Sequence, residues 1–179
     1  DILALQQVER GDLHLVPMSL EQIAHAEVRS AKGAAEQEGL VLLEEYAPGL
    51  RPVLGDPERL GQVFANLIGN AIKFTPDQGT ITVRLTNAED TIQADVIDEG
   101  IGIAQDHLER IFERFYQVDG SSKRRFRGTG LGLAIVKEII DAHGGTISVS
   151  SELGSGSTFS FAIPVASTAP AGPTEDRQI

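Results

Sequence analysis

Asn66, Asn70 and Lys73 stand in the run Asn66-Leu-Ile-Gly-Asn70-Ala-Ile-Lys73-Phe74. On a helix this spacing brings all three within a sector of ~60°, on the flank of an apolar stripe. A carboxamide oxygen is a hard, neutral ligand that can take one position around Mg²⁺ while phosphates and water fill the rest. A lysine one turn on can offset phosphate charge. The plainer alternative is two asparagines that cap or bridge neighbouring backbone beside a solvated lysine. A second group is Asp98-Glu99-Gly100-Ile101-Gly102. Its carboxylate can accept a hydrogen bond from an exocyclic amine such as that of adenine, and its glycines let backbone approach a flat ring closely. Otherwise it is a glycine-rich turn.

The third group, Gly128-Thr129-Gly130-Leu131-Gly132-Leu133, opens a helix, where exposed N–H groups and absent side chains make a phosphate cradle. It is no Walker A loop, since no Gly-Lys-Ser/Thr follows, and no strand leads into it as in a dinucleotide fingerprint. Its plain reading is a flexible joint before a helix. The fourth is the irregular stretch 103–127, which holds Ile111-Phe-Glu-Arg-Phe115-Tyr116 and Lys123-Arg124-Arg125-Phe126-Arg127. Four of the chain's 15 Lys and Arg residues fall at 123–127, beside the cradle. That placement suits attraction of a polyphosphate, although a charge run is ordinarily just solvated. Phe112 and Phe115 are expected to pin the stretch to the core.

The elements that must position these groups are marked by period and punctuation. Ile2, Leu5 and Val8 have helical spacing and Gly11 ends their run, which predicts the tail of a longer helix over 1–10. A second helix is predicted from Ser19 to about Glu38, with Ser19 as N-cap and Gln22 at the capping-box position. Strands follow at Val41–Tyr46 and about Arg51–Leu54, parted by Pro48 and Gly49. The helix carrying the asparagines has Asp56 as N-cap, Pro57 in its first turn, and Leu60, Val63, Phe64, Leu67, Ile68 and Ala71 as its stripe; Pro76 ends it. Thr80–Thr86 and Thr91–Ile97 alternate as a hairpin around Asn87–Asp90. A short helix is expected near Gln105–Phe112, and a longer one from about Gly130 to Ala142, closed by His143-Gly144-Gly145. Thr146–Ser150 and Ser157–Ile163 read as closing strands. The sum is an α+β fold: about three long helices over one face of a mixed sheet of about five strands. Strict βαβ alternation is absent, which disfavours a doubly wound parallel sheet.

The 179 residues suit one domain with short extensions. With 41% hydrophobic and 23% charged residues the chain is typical of a folded soluble protein. A net charge of −11 argues against nucleic-acid or anionic-membrane binding, so any anion must be held locally. The lack of cysteine excludes disulfides, thiolate metal sites and a cysteine nucleophile. No apolar run approaches the ~18 residues of a membrane span, and the first residues show no signal-peptide pattern. The start at Asp1 leads us to expect a piece of a longer protein. The segment after Pro164, rich in Ala, Ser, Thr, Pro and Gly and then acidic, reads as a disordered tail over 166–179.

Each group is equivocal alone, but their order is specific. It resembles the catalytic domain of the sensor histidine kinases, in the GHKL (Bergerat-fold) ATPase superfamily. Asn66–Phe74 looks like the N box, Asp98–Gly102 the G1 box, Phe112–Tyr116 the F box and Gly128–Gly132 the G2 box. The likeness runs from about Val16 to Pro164, including Gly55-Asp56-Pro57-Glu58-Arg59-Leu60 and Gly156-Ser-Thr-Phe159. It implies a Bergerat-type ATP-binding domain over 16–165 with an ATP lid over about 103–127, and in residues 1–15 the end of a dimerisation hairpin and its linker. It implies Asn70 as the protein ligand of Mg²⁺ with Asn66 in support, Lys73 facing the phosphates, and Phe74 beside adenine. Asp98 would bind the adenine amine, with Gly102 and Thr158 nearby through water. Gly100, Ile103, Tyr116, Arg127, Thr129 and Leu131 would also line the nucleotide, and Gly128, Gly130 and Gly132 would let lid and helix close on the triphosphate.

Two departures stand out. Gyrase, chaperone and mismatch-repair relatives carry a water-activating glutamate at the position of Asn66, and this chain lacks that base, which favours phosphoryl transfer to a protein. Gln117 stands where many such kinases have an arginine, and Arg114 or the 123–127 cluster is expected to stand in. The acceptor histidine of these kinases is followed by an acidic residue and lies in the hairpin; His14, His25, His107 and His143 lack that context. The resemblance thus implies a donor domain that passes phosphate from ATP to that hairpin, within a homodimeric parent, for relay to a response regulator. The domain would lie in the cytoplasm, the parent being open to anchorage in the inner membrane. The competing readings are a nucleotide-sensing pseudokinase module and a GHKL-type ATPase clamp.

Overall fold

The computed structural model describes residues 13–118 and 129–166. The expected helix over 1–10, the basic run 123–127 with Arg127, the G2 residue Gly128, and the tail from 167 onward lie outside the described residues.

The helices start and stop where local chemistry says they must. Ser19 caps α1 (Leu20–Gln37), its hydroxyl accepting from the Gln22 N–H. The Asp56 carboxylate accepts from the N–H groups of Glu58 and Arg59 at the head of α2 (Pro57–Phe74), with Pro57 in the first turn. Thr75, immediately before Pro76, is extended, which ends α2. The third helix, α3 (Gly132–Ala142), closes on His143 and on Gly144, whose φ is positive.

Strands β1 (Val16–Met18), β2 (Val41–Tyr46), β3 (Val53–Gly55), β4 (Thr80–Asn87), β5 (Thr91–Asp98), β6 (Thr146–Glu152) and β7 (Gly156–Pro164) form two sheets. The main sheet has the order β2-β4-β5-β7-β6; its β2–β4 pair is parallel and the others antiparallel. The expected mixed five-stranded sheet under three helices is therefore present. Ile81, Val83 and Leu85, Ile92, Ala94 and Val96, and Phe159, Phe161 and Ile163 alternate onto one face, where they meet the stripe of α2 and Ile135, Val136, Ile139 and Ile140 of α3. Phe64 of α2 meets Phe161 edge to face, 5.2 Å between ring centres. The opposite face carries Thr80, Thr82, Arg84, Gln93 and Ser160, with no helix over it among the described residues.

Three expectations need correction. The strand near Arg51–Leu54 lies at Val53–Gly55 and pairs with Val16–Met18, a strand too short to show a period, in a separate two-stranded sheet. The helix expected near Gln105–Phe112 is one 3₁₀ turn, Gln105–His107, followed by turns. Only Ile111 of that segment is fully buried, so too little apolar surface faces inward to hold a longer helix. Phe112 packs against the core, 6.4 Å from Phe159, but the Phe115 side chain is 67% exposed and lies outside the core.

Candidate nucleotide site

The flank of α2 from Asn66 to Phe74 forms a strip about 12 Å long. Asn66, Asn70, Lys73 and Phe74 are all half-buried on it, beside the buried stripe. Among the described residues neither asparagine side chain makes a hydrogen bond. They are not spent on capping or bridging backbone. Lys73 Nζ lies 5.0 Å from the centre of the Phe74 ring, and burial holds its ammonium pKa below the usual lysine value.

Each end of this strip meets another motif. At the Asn66 end stands Gly132, the first residue of α3, where a Cβ would lie 3.4 Å from Asn66 Oδ1. At the Phe74 end, the Ile101 N–H donates to the Phe74 carbonyl at 3.2 Å, so the Asp98–Gly102 turn is tied to the end of α2. A Cβ on Gly100 would lie 2.4 Å from Asp98 Oδ1 and 2.9 Å from the Phe74 carbonyl. On Gly102, with φ +71°, it would lie 2.0 Å from the Glu152 carbonyl. These glycines are required by the protein's own backbone, whatever ring approaches them.

Asp98 ends β5 and is only 8% exposed. Its Oδ1 accepts from the N–H groups of Gly100 at 2.8 Å and Ser157 at 3.3 Å. Oδ2 has no hydrogen bond among the described residues. Burial raises the carboxyl pKa above the usual aspartate value, against the two N–H donors that pull it down. The carboxylate is thus oriented by one oxygen and leaves the other as an acceptor.

Thr158 does not share this site. Asp98 pairs across the sheet with Ser157, and Thr158 pairs with Ile97. Cross-strand partners point to the same face and neighbours along a strand to opposite faces, so Thr158 belongs to the uncovered face. Ser157 is the residue beside Asp98, with its hydroxyl 2.9 Å from that of Ser151, which accepts from the Ile103 N–H and donates to the Gly156 carbonyl. The alternation of β7 carries the signal, but choosing between Ser157 and Thr158 needs the pairing register with Asp98.

Around the F box, Tyr116 is half-buried, its hydroxyl 2.5 Å from His107 Nδ1, and Arg110 lies over its ring at 4.3 Å. Arg114 differs from the expectation of a phosphate contact: its Nε and Nη2 both donate to Glu138 Oε1 on α3, at 3.0 and 2.6 Å. Thr129 is exposed, with Oγ1 3.4 Å from the Leu131 N–H. Leu131 is buried and has no capping side chain to offer the head of α3, so the first N–H groups there are not satisfied by a cap. Gly130, at φ +69°, comes so close to the backbone of Phe115 and Tyr116 that a Cβ would lie 2.8 Å from the Phe115 carbonyl carbon.

His143 was legible only as part of a helix end. It is buried, its Nδ1 donates to the Ile139 carbonyl at 2.7 Å, and its Nε2 accepts the Asp56 N–H at 3.0 Å. It couples the end of α3 to the head of α2 across 87 residues of chain.

A two-layer fold with a flanking asparagine strip, a buried strand-end aspartate and a glycine turn at a helix head defines a nucleotide-binding class. Residues 55–167 match the family model described as histidine kinase-, DNA gyrase B-, and HSP90-like ATPase. The chain belongs to that family, and its fold and sequence are those of the ATP-binding domain of sensor histidine kinases. It is 38% identical to the circadian input-output histidine kinase CikA of Synechococcus elongatus over 168 residues, 92% of this chain and 22% of that protein. The chain thus spans about a fifth of this curated relative. Among solved structures, full-length ShkA in complex with AMPPNP matches with a TM-score of 0.78 and 34% identity, over 89% of this chain and 33% of that one. The nucleotide-free catalytic domain of the histidine kinase ThkA matches at 0.75 and 27%, over 85% of this chain and 98% of that one.

Proposed function

We propose that this domain binds Mg-ATP along the α2 strip and donates the γ-phosphoryl group to a histidine of a dimerisation hairpin, for relay to a response-regulator aspartate. The observation that carries the reading is the buried Asp98, oriented through Oδ1, at one end of a strip; among the described residues its Oδ2 and the side chains of both asparagines make no hydrogen bond. Oδ2 accepts the adenine amine, and Phe74 lies beside the ring. Lys73 faces the phosphates and the uncapped head of α3, from Gly130 to Gly132, offers N–H groups to them. The remaining motif residues, Gly100, Gly102, Ile103, Tyr116, Arg127, Gly128, Thr129 and Leu131, are read as the surrounding wall and lid.

No group of three or more His, Cys, Asp or Glu that could hold a metal occurs among the described residues. That suits an ion held chiefly by phosphates and water with one neutral protein oxygen, and Asn70 fits that role with Asn66 in support. Bound Mg²⁺ would neutralise phosphate charge there. Asn66 cannot deprotonate water, so the chain has no base at the hydrolytic position, and the nucleophile is the acceptor imidazole. What the domain supplies is positioning and charge neutralisation.

The test uses ATP labelled in its γ-phosphate, with a histidine-bearing dimerisation hairpin supplied in trans. Label on the hairpin's histidine supports the kinase reading. Nucleotide binding with no label transferred would leave the sensing module, and steady hydrolysis without an acceptor would point to the clamp.

A further inference from the structure

The F box is joined to the glycine turn by one hydrogen bond and to the helix that follows by an ion pair. The Phe115 N–H donates to the Gly130 carbonyl at 2.9 Å, and Phe115 takes a left-handed φ of +64°, a conformation that costs a non-glycine residue energy. Such a conformation persists only where its surroundings over-determine it. One residue earlier, Arg114 grips Glu138 through two N–H groups. Glu138 lies on α3 less than two turns after Gly132, which itself packs against the Asn66 carboxamide. The Glu138 side chain is 25% exposed, and its second oxygen is buried with no hydrogen-bond partner among the described residues. Removing the guanidinium would take away the cation that neutralises a carboxylate with one buried oxygen.

We propose that Arg114 and Glu138 form a latch that positions the Gly130–Gly132 turn against Asn66, so that both act on the phosphate end of the site without touching phosphate. This rests on the nucleotide reading above. The ion pair sets where the F box stands on α3, the Phe115–Gly130 hydrogen bond carries that position to the glycine turn, and the turn sets the N–H groups at the head of α3 beside the asparagines. Arg114 and Glu138 are positioning residues, and the adenine end, built on Asp98, Gly100 and Phe74, does not depend on them.

The experiment measures binding of ATP with magnesium, and of adenosine, to the unmutated chain and to Arg114→Ala, Glu138→Ala, the double alanine variant, and the exchange Arg114→Glu with Glu138→Arg. Each single variant is expected to weaken ATP binding about three- to tenfold while leaving adenosine binding unchanged. The double variant should be no worse than either single one, and the exchange should restore most of the loss. Loss in Arg114→Ala alone, with Glu138→Ala harmless and no restoration by exchange, would make Arg114 a direct phosphate ligand and overturn the latch. Equal loss of ATP and adenosine binding in step with melting temperature would reduce the pair to general stability, which also overturns it. ATP binding that every variant keeps intact overturns the latch alone, whereas an unmutated chain that binds no ATP overturns the site reading and the latch with it.

Discussion

The two oxygens of Asp98 do different work, and this separates affinity from stability at one residue. In Asp98→Asn the amide oxygen can keep the bonds from Gly100 and Ser157, but an NH₂ replaces the acceptor offered to the adenine amine. Because burial raises the folded carboxyl pKa, the folded chain holds that proton more tightly than the unfolded chain. The stability from this group is fully present below the unfolded pKa and is lost as pH rises through the folded one. At neutral pH the ionised carboxylate therefore costs stability that asparagine does not. Calorimetry should show nucleotide binding abolished in Asp98→Asn, with a neutral-pH melting temperature equal to or above that of the unmutated chain. The gap should shrink as pH falls into the acid range; a variant that melts lower at neutral pH would contradict this account. Asn70 makes a separate residue-scale case. Asn70→Ala should remove the part of ATP affinity that magnesium confers, so that titrations with magnesium and with a chelator converge. An unchanged magnesium dependence would exclude Asn70 as the ligand.

Among the elements, α2 carries both the core stripe and the functional strip, so its placement controls the site. Its head is fixed by its own cap and by two other parts of the chain. Asp56 caps it, the His14 N–H donates to Asp56 Oδ2 at 3.0 Å, and His143 accepts the Asp56 N–H. Asp56→Ala removes the cap and the His14 contact and is expected to cost about 1–2 kcal/mol. His143→Ala strands the buried Asp56 N–H and opens space beside Gly55, while the Ile139 carbonyl keeps the backbone N–H of residue 143, at a cost of about 2–4 kcal/mol. Urea unfolding should report both as lower midpoints at unchanged slope, with the double variant close to additive, because Asp56→Ala keeps the backbone N–H that His143 accepts. Marked non-additivity would mean that losing the Asp56 cap also moves that N–H away from His143.

For the whole molecule, the β5–β7 pairing that continues the sheet also sets the surroundings of Asp98. Gly156, at φ +90°, lies where β7 first meets β5, and a Cβ there would be 2.0 Å from the Asp98 carbonyl oxygen. Gly156→Ala must push the two strands apart at Asp98, the proposed adenine acceptor. It should lower thermal stability and nucleotide affinity together, unlike Asp98→Asn, which separates them. Parallel melting and binding measurements distinguish the cases, and a Gly156→Ala variant with full affinity would show that the site tolerates a shifted β7. The same scale divides what could be read from the chain. The caps Ser19 and Asp56, the breaker Pro76, the stripe of α2 and the alternation of β4, β5 and β7 were legible because they depend on neighbours a few residues away. The shared flank of Asn66 and Asn70 was legible too, since their spacing along one helix already implies a common direction. Other features depended on partners distant in sequence, and no local period encodes those. Val16–Met18 is a strand only because Val53–Gly55 lies beside it, and Ser157 stands at Asp98 while Thr158 turns away because of a single cross-strand register. Arg114 reaches Glu138, and His143 reaches Asp56, only once α3 has packed against α2. Local chemistry determined which residues could hold a nucleotide; tertiary packing decided which of them meet, because register and helix contact are properties of distant pairs and not of any one segment.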